Sequence, residues 1–194
     1  MHKLASSFVL GYHGCDRVTA EALLAGTAFT PSSNDYDWLG QGIYFWEANP
    51  LRGLEFAGEK AQRERSRFDP YVIGAVIDLG FCLDLLSSTG TEAVAAAYED
   101  FQAYCLAGNR NLPRNSVGED RLLRKLDCAV INHLHAVRAK LEQQAFDTVR
   151  GVFTEGTPCY PGAGFDLKSH IQICVRHAAC IKGVFRVPDD QLRP

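Results

Sequence analysis

The 194-residue sequence has no apolar run near the ~20 residues needed to cross a bilayer, so no membrane span is expected. The early apolar run, Phe8-Val9-Leu10, is too short for a signal peptide. There is no excess of positive charge: 20 Lys and Arg stand against 23 Asp and Glu, a net charge of -3. That excludes a global field drawing in nucleic acid or an anionic membrane, and leaves such contacts to a local basic patch. The seven cysteines are an odd number with no C-x-x-C pair. This pattern fits reduced thiols in a cytoplasmic protein, not a disulfide frame or a zinc site. His133 and His135 lie two apart on an expected helix and so face different ways, and the other histidines do not cluster, so no metal is expected. There is no P-loop, nucleophile elbow or G-x-G-x-x-G. Without repeats, low-complexity stretches or a linker, residues 1–194 are expected to form a single domain.

What the chain does contain is an ordinary globular balance, 46% apolar and 22% charged. Phe8 to Leu10 reads as a strand carrying Tyr12-His13-Gly14 at its end, and Asp16 as the cap of a helix that stops at Gly26. Asn49-Pro50 opens a second helix with an apolar stripe at Leu51, Leu54, Ala57 and Ala61, ending in the charge run Arg63–Arg67. Tyr71–Leu79 is a strand apolar on both faces. Helices are expected from Thr91 to near Gly108 and from Leu122 to Leu141. Three strands follow, over 146–153, 170–176 and 180–187, with a Pro- and Gly-rich loop from Thr157 to Gly164. Strands and helices partly segregated along the chain indicate an α+β fold.

Three stretches carry candidate chemistry. In Gly40-Gln41-Gly42-Ile43-Tyr44-Phe45-Trp46-Glu47 two glycines let the backbone turn sharply or approach a ligand, and an aromatic face follows on which a flat ring could stack. The plainer reading is a strand after a glycine turn, with Ile43, Phe45 and Trp46 in the core. His13 precedes Gly14 and can bond a ribose hydroxyl, while Gly14 frees backbone groups for a carboxamide; a surface histidine at a turn is the plainer reading. Gln172 alternates with Ile171, Ile173 and Val175, so it faces either solvent or a cleft.

Together these stretches resemble the poly(ADP-ribose) polymerase and diphtheria-toxin branch of the ADP-ribosyltransferases. That family carries His-Gly on its first strand, Gly-x-Gly-x-Tyr-Phe on a later one, and a catalytic Glu shortly before its last strand. His13-Gly14 and Gly40–Phe45 match the first two motifs. Gln172 falls at the Glu position, with His170 as the neighbouring candidate if the register slips by two.

The resemblance implies a split, curved β-sandwich flanked by helices, with NAD as co-substrate in the cleft. His13 would hold the adenosine ribose, Gly14 the nicotinamide carboxamide and Tyr44 the nicotinamide ring, with Gly42, Tyr12 and Phe45 shaping the pocket. The loop from Thr157 to Lys168 would shape target choice. The implied activity is mono-ADP-ribosylation of a protein or nucleic-acid target, and some bacterial proteins of this branch act as toxins, which would imply a cognate inhibitor. Gln172 departs from the pattern, because it can accept a hydrogen bond but adds no charge and cannot act as a base. Glu47 is the first replacement carboxylate, if the chain bends after Phe45, and Glu155 the second. A silent NAD- or ADP-ribose-binding module, or an NAD glycohydrolase, is the alternative.

Overall fold

The computed structural model describes residues 8–64, 68–118, 120 and 122–193. Residues 1–7 of the N-terminal stretch and 65–67 of the charge run lie outside the described residues. The fold is α+β. Seven strands make one sheet in the order β4-β7-β8-β2-β1-β3-β9. They are β1 (Phe8–Asp16), β2 (Ile43–Glu47), β3 (Pro70–Asp78), β4 (Cys82–Asp84), β7 (Thr148–Phe153), β8 (His170–Val175) and β9 (Ile181–Arg186). Every pairing is antiparallel except β4 with β7. A two-stranded ribbon, β5 (Asn115–Ser116) with β6 (Leu123–Arg124), stands apart. The helices are α1 (Arg17–Leu24), α2 (Pro50–Glu64), α3 (Ser88–Ala107) and α4 (Lys125–Lys140). None of these helices is long and apolar enough to cross a membrane.

The helix starts follow from side chains that satisfy free N–H groups. Asp16 accepts from the N–H of Val18, and Asn49 from that of Arg52. Ser87 accepts from Gly90 and starts α3 three residues before the expected Thr91. The expected start of α4 at Leu122 moves to Lys125, because Leu123 pairs with Ser116 and the side-chain oxygen Oδ1 of Asn115 accepts from the N–H groups of Leu126 and Asp127. A cap supplied from 11 and 12 residues away cannot be read from local pattern.

Both faces of the sheet are covered. On one face α3 and α4 lie over Leu83, Val149, Phe153 and Cys174, and α2 lies over Tyr12 and Val72. On the other, Ile43, Phe45, Ala75, Ile77, Ile173 and Val175 form a second core, and α1 covers Cys15 and Ile73. β1 is longer than expected, so Tyr12-His13-Gly14 lies within a strand rather than at its end. The expected pair of sheets is one hydrogen-bonded sheet, but its joint between β1 and β2 is thin. Only Gly11↔Glu47 and Tyr12↔Trp46 pair there, against nine registered pairs between β1 and β3. All seven cysteines are free thiols.

Candidate functional site

The seam between β1 and β2 opens at His13. Its Nδ1 lies 2.9 Å from the Tyr44 carbonyl across the gap. A carbonyl only accepts, so Nδ1–H donates and the neutral ring keeps a lone pair on Nε2. Burial pushes the His13 pKa down; the bond to Tyr44 opposes this and Lys60 adds to it. The ring packs 5.4 Å from Phe29 and 5.6 Å from Phe45, on the face of the second core. The structure gives Gly14 a packing role. A Cβ there would run into the Gly53 carbonyl of α2, so the glycine lets the helix press onto β1. Tyr12 is buried with Val72, Val187 and Phe185.

Tyr44 lies on the opposite face from His13, paired with Cys174 and packed into the core beneath α4. Its hydroxyl donates to the Gly40 carbonyl at 2.5 Å and accepts the Leu39 N–H at 2.8 Å. Gly40 sits at φ +77°, in the region glycine favours, so the tyrosine pins a loop that only glycine can form without strain. Gly42 is equally constrained, since a Cβ there would meet Cys174 and Val175.

The bend that would bring Glu47 beside Tyr44 does not occur after Phe45. β2 continues to Glu47, and the chain turns at Ala48, with φ +51°. Glu47 therefore lies on the face opposite Tyr44 and Gln172, where Arg150 grips it at 2.5 and 2.9 Å. Its guanidinium also reaches Asp84 at 3.4 Å. Sequence reading missed Arg150, although a charged residue in the middle of a strand is a signal that it has a partner.

Gln172 pairs with Trp46 on β2 and Gly151 on β7, and is only 8% exposed. The solvent-facing reading of this residue is thus replaced by a buried one. Beside it, on the same face, His170 is 5% exposed. Its Nδ1 is 2.6 Å from the Lys168 carbonyl, and its Nε2 is 3.0 Å from the Gln172 amide nitrogen. Trp38, Trp46 and Phe153 surround its ring at 5.9–6.4 Å between centroids. Glu155 lies 3.8 Å from Nδ1, and Arg52 holds that carboxylate at 3.0 and 3.1 Å. Arg52 and Glu155 are 5% and 7% exposed. Glu155 is therefore beside His170, the neighbour of Gln172, but paired with Arg52. Arg52 gave no signal in the sequence, because its position beside the apolar stripe of α2 reads as a solvated charge. The Arg124 guanidinium lies over both Trp38 and Phe153. A groove of about 480 Å³ between α3, α4 and the sheet shares those three side chains, but His13, Tyr44 and Gln172 do not line it.

The structure thus brings Tyr44 and Gln172 to one face of neighbouring strands and His13 to the other face, at the seam. Glu47 lies on the His13 face and does not join Tyr44 and Gln172. Away from this region, Asp147, His177 and Cys180 bring one ligand atom each within 4.8 Å of one another, a grouping that His-spacing arguments did not reveal.

Three histidines are held neutral. Burial lowers His13 and His170, and it lowers His135 to about 4, with Arg176 and Arg138 adding to the effect. In the unfolded chain each titrates near ~6.5. As pH falls, the unfolded chain takes up protons first, so stability is full above that value and is lost below it. Each fully developed proton difference is worth about 1.4 kcal/mol per pH unit. The melting temperature is expected to fall between pH 7.5 and 5.5, measured by circular dichroism. An unchanged value would show that these rings are not sealed.

Among known proteins, the chain is similar to an uncharacterised protein of Methanocaldococcus jannaschii, at 50% identity over 36 residues. That stretch is 19% of this chain and spans only 17% of the relative. No protein-family model matches the chain, and no solved structure does.

Proposed function

We propose that the protein is an NAD-dependent mono-ADP-ribosyltransferase, cleaving the nicotinamide–ribose bond and passing ADP-ribose to a protein or nucleic acid. The observation that carries this reading is the parting of β1 and β2 at His13, with Tyr44 and Gln172 together on one face beyond it. A ligand threaded through such a seam can touch His13 from one side and Tyr44 and Gln172 from the other. The free lone pair of His13 Nε2 suits a ribose hydroxyl. The loop from Thr157 to Lys168 leads straight into β8 and exposes Tyr160, Phe165 and Leu167, an apolar surface suited to a macromolecular target.

The acceptor in this reading needs no general base. Glu47 and Glu155, the two replacement carboxylates, are each held by two bonds from an arginine. An acceptor already ionised or nucleophilic, such as a phosphate, an amine or a guanidine, fits that environment better than a hydroxyl. A toxin role with a cognate inhibitor is the cellular form of the same proposal.

The second reading, a silent NAD- or ADP-ribose-binding module, is favoured by the commitment of the Tyr44 hydroxyl to the Gly40 loop and by the uncharged Gln172. Incubation with labelled NAD and a cell lysate separates the two. Released nicotinamide and label on a macromolecule, both lost in a folded His13→Ala variant, are the expected result. Nicotinamide without transferred label points to a glycohydrolase, and saturable binding without turnover to the module.

A further inference from the structure

We propose that His170 is a positioning residue: it turns the side-chain amide of Gln172 so that the carbonyl oxygen, not the NH2 group, is presented to the reacting ribose. This rests on the transferase reading. The Lys168 carbonyl, 2.6 Å from Nδ1, can only accept, so Nδ1 carries the proton. The neutral ring then has its lone pair on Nε2, 3.0 Å from the Gln172 amide nitrogen. Only the NH2 group can donate to that lone pair. With the amide turned over, two acceptors would face each other in a buried site, which is costly. The Gln172 carbonyl oxygen is thereby directed away from His170, and it has no protein partner among the described residues.

The orientation matters because glutamine has no net charge. What it offers a developing cation is the sign of its dipole. The carbonyl end stabilises positive charge on the ribose, while the NH2 end would oppose it. A preorganised dipole acts most strongly where water is excluded. His170 is itself held in place by the rings of Trp38, Trp46 and Phe153. Its neutrality follows first from burial. Of the groups facing it, Arg52 and Arg124 also lower its pKa, whereas the Lys168 carbonyl and Glu155 raise it.

His170→Phe keeps a ring among the aromatics but leaves Gln172 free to turn. It is expected to lower kcat for NAD consumption about 100-fold, the cost of a small misplacement at a reacting centre, with little change in KM. His170→Gln, whose side-chain oxygen replaces Nε2 as the acceptor, is expected to restore much of the rate. Nitrogen-15 NMR of the wild-type histidines provides a readout independent of activity: His170 should be protonated at Nδ1 alone at neutral pH. Gln172→Glu, which replaces the donor with an acceptor, should raise the His170 pKa. An Nε2–H tautomer overturns the orientation whatever the activity, and wild-type kcat in a folded His170→Phe overturns the positioning role. If wild-type protein consumes no NAD, the transferase reading fails, and the NMR tautomer alone then decides the orientation.

Discussion

Arg52→Met is expected to destabilise the fold by about 3–5 kcal/mol, the cost of leaving one partner of a buried ion pair uncompensated. The partner is Glu155, at 7% exposure, which has no second cationic group within 4.0 Å among the described residues beyond the neutral His170. Glu155→Met should cost less, because Arg52 would retain Glu59 at 3.4 Å and Glu55 at 3.8 Å on its own helix. The double variant Arg52→Met/Glu155→Met should regain much of the loss, since matched apolar side chains often replace a buried pair at little cost. Urea unfolding of the four proteins measures the cycle. Equal losses in the two single variants, or no recovery in the double one, would show that packing rather than charge holds α2 to the chain leaving β7. The pair fixes Glu155 beside His170, whose Nε2 in turn contacts Gln172.

The parts of this fold legible in the sequence are those set by neighbouring residues. Asp16 and Asn49 announced their helices because a cap and its N–H partner lie two or three positions apart. The doubly apolar β3 was legible because both of its faces are buried. The start of α4 was not, since Asn115 caps it from a separate ribbon. The candidate site divides along the same line. Alternation along β8 correctly grouped His170, Gln172 and Cys174 on one face, but only the tertiary structure reveals that this face is covered. The Glu47–Arg150 and Arg52–Glu155 pairs each join residues 103 apart, and no local pattern links them. The approach of Gly53 that gives Gly14 a structural purpose was not legible, because it joins β1 to a separate helix.

Gln172→Ala and Glu47→Gln are expected to separate sharply, and in opposite properties. Gln172→Ala removes the only side chain at the third-motif position that presents an acceptor, and should lower turnover about 100- to 1000-fold, the usual cost of losing one preorganised polar group at a reacting centre. It should also weaken NAD binding, because the same carbonyl would bond the ribose in the ground state. The fold should survive, since the next two residues of β8, Ile173 and Cys174, remain fully buried. Glu47→Gln should leave turnover and NAD affinity near wild type, because β2 carries Glu47 to the face opposite Tyr44 and Gln172. What it should lose is stability, about 1–3 kcal/mol for a charged hydrogen-bonded group, because Arg150 keeps only Asp84, at 3.4 Å, as a carboxylate partner. Steady-state NAD consumption, NAD titration calorimetry and urea unfolding of the same three proteins read all of these quantities. If a stably folded Glu47→Gln loses as much turnover as Gln172→Ala, its negative charge reaches the reaction through the seam from the other face, and the assignment of Gln172 as the sole residue of the third motif is wrong.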